Sequence, residues 1–155
     1  MLTTLCYIEK DNQFLMMHRT KKQNDPNAGK WIGLGGKFKD YESPEECVLR
    51  EVKEETGLNL IQLSFRGIIT FTNNDNWTEY MFLFTSTEFS GTLDFDCNEG
   101  ELAWINKDEV TQLNLWEGDK YFLERLVTDD SFFTMKLSYN GDKLIEAIYN
   151  NEKIH

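Results

Sequence analysis

Three glutamates, Glu51, Glu54 and Glu55, stand three and four residues apart. On a helix they fall within an arc of about 100° on one face. Like charges at these spacings each destabilise a helix by about 0.2–0.5 kcal/mol. Acidic groups in the C-terminal half also run against the helix dipole. A hard divalent cation offsets this repulsion, since Mg²⁺ prefers oxygen ligands and keeps waters at its remaining positions. A merely solvated acidic face is the other reading, and three glutamates alone do not exclude it. Gly35-Gly36 lies a short loop upstream. Glycines there allow backbone groups to come close to a metal or a phosphate, or else make an ordinary turn. Arg50 stands four residues after Glu46 and directly before Glu51. It can pair with Glu46 at the surface or orient a catalytic carboxylate.

The helix these residues need is well specified. Ser43 is a good N-cap, Pro44 suits the first helical position, and Glu46 completes a capping box. Gly57 supplies a left-handed terminator. The expected helix spans residues 44–56, with Val48, Leu49 and Val52 available to a core. Around it, residues 2–8 and 13–18 read as strands joined by a turn at Lys10-Asp11-Asn12. Residues 20–30 read as a polar loop and 31–34 as a short strand. Residues 62–72 and 79–88 read as longer strands and 101–105 as another short one. Asn106 and Glu109 suggest a capping box opening a short helix. Residues 117–128 fit a second full helix, with Tyr121, Phe122, Leu123, Leu126 and Val127 on its apolar side. Segments 132–139 and 143–149 flank Asn140-Gly141, a strong hairpin signal. Interleaved strands and helices with several hairpins point to an α/β domain with a mixed sheet. No linker, low-complexity tract or repeat interrupts residues 1–155, so one domain is expected.

Composition narrows the partners. The net charge of -11 disfavours duplex nucleic acid and anionic membrane surfaces. It permits a small phosphorylated ligand if cations or a local basic patch offset the field. Eleven Phe, six Tyr and four Trp supply rings for a core or for stacking on a flat ligand. Cys6, Cys47 and Cys97, with no CxxC and no secretory leader, suggest free thiols in a reducing cytoplasm. No apolar run approaches the ~20 residues of a bilayer span.

The 23-residue segment Gly36-x5-Glu42-x7-Arg50-Glu51-Val52-x-Glu54-Glu55-x-Gly57-Leu58 resembles the Nudix box, G-x5-E-x7-R-E-U-x-E-E-x-G-U with U aliphatic, at every fixed position. The wider chain resembles the MutT-like branch of that family, which includes 8-oxo-dGTP diphosphatases. The stretch Lys30-Trp31-x-Gly33-x-Gly35-Gly36-Lys37 is similar to the approach to the box there, and Glu99, Trp116 and Asp119 fall where that branch has functional residues.

The resemblance implies a Nudix α/β/α sandwich, with a mixed sheet between helices. It also implies Mg²⁺-dependent hydrolysis, with Mn²⁺ as a substitute, of a nucleoside triphosphate to the monophosphate and pyrophosphate. By position, Glu51, Glu54 and Glu55 would ligate the metal with the Gly35 carbonyl, while Glu42 and Arg50 hold the loop and helix in place. Glu99 would be a further ligand or the general base, with Glu101 its rival. Gly36 and Lys37 would meet the phosphates; Phe71, Trp116 and Asp119 would meet the base, core packing being the alternative for both rings. The chain departs from this branch where an asparagine that reads the base is replaced by Ile32, and where two adjacent aspartates are replaced by Gly118-Asp119. Strict selection of an oxidised purine is accordingly less supported. Other expectations are ADP-ribose or another nucleoside diphosphate derivative as substrate, or a nucleotide-binding module without turnover. The expected assembly is a monomer or homodimer.

Overall fold

The computed structural model describes all of residues 1–155. β1 (Leu2–Lys10) and β2 (Gln13–His18) form an antiparallel hairpin. Along them the side chains alternate between two buried faces: Cys6, Ile8, Leu15 and Met17 on one, Tyr7, Phe14 and Met16 on the other. A strand apolar on both faces belongs at the centre of a covered sheet.

The covering layers are the two helices. α1 (Pro44–Thr56) places Val48 and Val52 against the first face. α2 (Asp119–Thr128) places Phe122, Leu123 and Leu126 against the second. Between them the remaining strands are β3 (Trp31–Ile32), β5 (Ser64–Asn73), β6 (Trp77–Ser86), β8 (Glu101–Asn106), β9 (Phe133–Asn140), β10 (Lys143–Tyr149) and β11 (Glu152–Lys153). The nine-stranded sheet runs β11-β10-β9-β5-β6-β1-β2-β3, with β8 also paired to β2. β1–β6 and β5–β9 are parallel and the other pairs antiparallel. A minor two-stranded sheet joins β4 (Asn59–Leu60) and β7 (Phe89–Ser90). This is the expected α/β/α sandwich around a mixed sheet.

Some local expectations change. Leu49 is 39% exposed, whereas Cys47 and Thr56 are buried; the core-facing side of α1 is rotated from the one expected. Val127 of α2 is likewise exposed, and that helix starts at Asp119 rather than 117. Asn106 does not open a helix through its side chain. It ends β8 opposite Gln13, and its Oδ1 accepts from Gln13 Nε2 at 3.2 Å. A short 3-10 turn at Val110–Gln112 follows instead, without a side-chain cap.

Candidate active site

The capping box forms as expected. Ser43 Oγ accepts from the Glu46 N–H at 3.1 Å, and Glu46 Oε1 accepts from the Ser43 N–H at 3.0 Å. Glu46 is thereby occupied, and Arg50 turns instead to Glu42, Glu51 and Glu54. Its Nε and Nη2 donate to Glu42 at 2.6 and 2.9 Å, a bidentate pair. Its Nη1 donates to Glu51 at 2.8 Å and to Glu54 at 3.2 Å, and its Nη2 also reaches the Lys37 carbonyl at 3.1 Å. Arg50 thus ties the 37–42 loop to the acidic face of α1. Hydrogen bonds from Arg50, then from the Lys39 N–H, hold the Glu42 carboxyl down at about 2.

Glu55 is buried, and its Oε1 accepts from the Gly35 N–H at 2.8 Å. Burial pushes its carboxyl well up from the ordinary range; the Gly35 amide opposes this, while the fields of Glu99 and Glu51 add to it. The glycine pair is demanded by space. A Cβ on Gly35, at φ 134°, would lie 2.0 Å from the Thr4 carbonyl oxygen, and one on Gly36 would lie 2.6 Å from the Glu51 carboxyl carbon. A side chain at Gly35 would push the loop off the β1 backbone, and one at Gly36 would displace the Glu51 carboxylate.

The donor chemistry suits a hard divalent cation: three glutamate carboxylates on one helix, with Glu99 and Glu51 raising the proton affinity of buried Glu55. No three acidic side chains converge on a point, because Arg50 draws on Glu51 and Glu54, Gly35 holds Glu55, and Arg19 holds Glu99.

A cleft of about 660 Å³ begins at Gly35, Gly36, Lys37 and Glu51 and extends to Phe71, Trp116 and Asp119. Glu99 and Ile32 line it as well. Glu101 is exposed on β8 opposite His18, outside this lining. Trp116 meets Phe71 and Tyr139 edge-on, with centroids at 5.4 and 5.2 Å, and Phe71 stacks on Tyr139 at 4.9 Å. Both expected rings therefore pack against the core and face the cleft. Burial pushes the Asp119 carboxyl up to about 8, against a smaller lowering by Lys30.

Three cleft residues were not anticipated. Arg19 is buried and binds Asp25 and Glu99; Asn27 Oδ1 accepts from Trp116 Nε1 at 2.7 Å. Arg19 and Asp25 pair locally, but no local signal ties them or Asn27 to the cleft, since Glu99 and Trp116 lie far along the chain.

Comparison with known proteins agrees with this geometry. A family profile described as the NUDIX domain matches residues 1–126. The Nudix hydrolase YvcI of Bacillus subtilis is 29% identical over 145 residues, covering 90% of this chain and 87% of that protein. The oxidized purine nucleoside triphosphate hydrolase of Mus musculus is 30% identical over 113 residues, covering 72% of this chain and 71% of that one. The crystal structure of a MutT protein from Bacillus halodurans superposes with a TM-score of 0.87 at 29% identity, covering 97% of this chain and 98% of that one. Nudix hydrolases generally act on small-molecule nucleotides with divalent metal ions. With the box residues on one helix and the loop before it, the glycine pair pressed against β1 and a matching fold throughout, the chain belongs to the NUDIX domain family and is a Nudix hydrolase.

Proposed function

We propose that the chain hydrolyses purine nucleoside triphosphates to the monophosphate and pyrophosphate with Mg²⁺, and that oxidised dGTP is its preferred substrate. Such an activity would remove a damaged precursor before it is built into DNA. The observation that carries this reading is one cleft lined both by Glu51, Glu99 and the glycine pair and by Phe71, Trp116 and Asp119. The name of the mouse relative supports it.

Glu51, Glu54 and Glu55, with the Gly35 carbonyl, would hold the metal. Mn²⁺ has the same preference for oxygen donors and would substitute. When bound, divalent ions neutralise phosphate charge and lower the pKa of the attacking water. Glu42 and Arg50 keep the loop and helix in register. Gly36 and Lys37 face the phosphates. Glu99 Oε2 is held by Arg19, leaving Oε1 to accept a proton from water as general base. Trp116 and Phe71 border the base, and Asp119, still protonated near neutral pH, offers a donor as well as an acceptor to its edge.

Ile32 favours a second reading. It places an apolar side chain in the cleft lining, where a hydrogen-bonding group would discriminate between purines, and so admits other nucleoside diphosphate derivatives such as ADP-ribose. A panel of 8-oxo-dGTP, dGTP and ADP-ribose at fixed Mg²⁺ tests both. We expect the highest kcat/KM for 8-oxo-dGTP, with pyrophosphate as co-product. Preferential cleavage of ADP-ribose would replace the first reading by the second, and no cleavage at all would leave a binding module.

A further inference from the structure

Arg19 follows directly on β2, is 8% exposed in the cleft wall, and has no direct part in the chemistry above. Its Nε donates to Asp25 Oδ2 at 2.8 Å and its Nη1 to Glu99 Oε2 at 3.0 Å. The Asp25 side chain is 1% exposed, whereas that of Glu99 is 37% exposed. Asp25 already neutralises the guanidinium, so charge balance alone does not require Glu99. A guanidinium is planar, and its donors diverge at fixed angles. Asp25 therefore fixes the plane, and the plane aims Nη1 at Glu99. A lysine, with one compact charge, could not serve both carboxylates with this geometry. The loop also reaches the other end of the cleft: Asp25 Oδ1 accepts from the Asn27 N–H at 3.0 Å, and Asn27 Oδ1 accepts from Trp116 Nε1 at 2.7 Å.

We propose that Arg19 is a positioning residue that acts through Glu99, and that the Arg19–Asn27 loop sets both the Glu99 carboxylate and the seat of the Trp116 ring. This rests on the roles assigned to Glu99 and Trp116 under the proposed function. Asp25 anchors the loop: one carboxylate oxygen holds Arg19 and the other holds the backbone of Asn27.

The test uses the full chain with Mg²⁺ and 8-oxo-dGTP, following pyrophosphate release, together with thermal denaturation of the metal-free protein. Removing Arg19 alone would strand Asp25 unpaired in the interior. The main variant is therefore Arg19→Met combined with Asp25→Asn, which takes away both charges. We expect kcat to fall at least about 10-fold with KM changed less than about twofold, a pattern of misplacement rather than lost binding. In a Glu99→Gln background the same pair should change kcat by less than about twofold. Arg19→Lys should be as slow as the main variant, and it carries the same expectations if the main variant fails to fold. Asn27→Ala should raise KM severalfold and leave kcat within about twofold. Without metal, the Tm changes from the paired variant and from Glu99→Gln should be non-additive. A wild-type rate in the paired variant, an undiminished effect in the Glu99→Gln background, or additive Tm changes would overturn the positioning role. An unchanged KM for Asn27→Ala would overturn the Trp116 half. A wild-type chain without turnover, or Glu99→Gln as fast as wild type, would instead overturn the proposed function beneath it.

Discussion

Glu54 is the most exposed of the three helix carboxylates, with its side chain 54% open and only Arg50 holding it. Glu54→Gln should therefore leave the fold intact while lowering kcat by about 100-fold or more, the scale of losing a group that acts in the transition state. An unchanged rate in a folded variant would remove Glu54 from the site. Asp119 carries a different prediction. Its carboxyl titrates at about 8 in the fold against an ordinary 3.8, with burial the main cause. The folded state thus binds this proton more tightly than the unfolded state. The stability it contributes is complete below pH 3.8 and is lost as the pH rises through 8. Asp119→Asn should remove that dependence, so the Tm of wild type minus that of the variant should decline from pH 4 to pH 9. A constant gap would show that Asp119 ionises freely. Residues of this kind differ in how legible they were. Glu42, Arg50, Glu51, Glu54 and Glu55 sit within one helix and its approach, where spacing gathers them, although it left the partner of Arg50 open between Glu46 and a catalytic carboxylate. Arg19 meets Glu99, and Asn27 meets Trp116, only because β8 and the segment before α2 return beside β2; no spacing reports that.

At the scale of elements, α1 was the most legible because its signals are local and agree: cap, proline, N3 glutamate and terminal Gly57 at φ 80°. Ser43→Ala should cost about 1 kcal/mol, lowering Tm by roughly 2–4 °C for a chain of this size. A smaller loss in denaturant unfolding than about 0.3 kcal/mol would show that Pro44 and Glu46 suffice for the start. Which side of α1 is buried was less legible, since periodicity gives an apolar arc but not its centre. Leu49 lies at the arc's edge, and the sheet beneath chose Cys47 and Thr56 instead. Asn106 shows the complementary failure: a helix-starting residue type was claimed by a cross-strand partner, Gln13.

For the whole molecule, the mixed-sheet α/β class followed from the interleaving of elements and the α/β/α layering from the family resemblance, whereas the strand order did not. Parallel pairing of β1 with β6 and of β5 with β9 joins segments that alternation cannot match. The fold nonetheless predicts a response of the intact protein. Divalent ions that bind the native acidic site should raise Tm, by an amount set by RT ln(1 + [L]/Kd), or about 2.7 kcal/mol at 100-fold over Kd. Mg²⁺ should stabilise wild type more than NaCl at equal ionic strength, and the excess should shrink in Glu51→Gln and Glu54→Gln. An equal excess in all three would mean that Mg²⁺ acts only on the general charge of -11. The β1–β6 contact has one more consequence, for the order of events during synthesis. β1 can zip onto β2 as soon as both leave the ribosome, but its other edge stays open until Trp77–Ser86 emerges. A growing chain therefore carries a bare, apolar strand edge from the emergence of His18 until that of Trp77–Ser86, an interval in which holding chaperones would protect it.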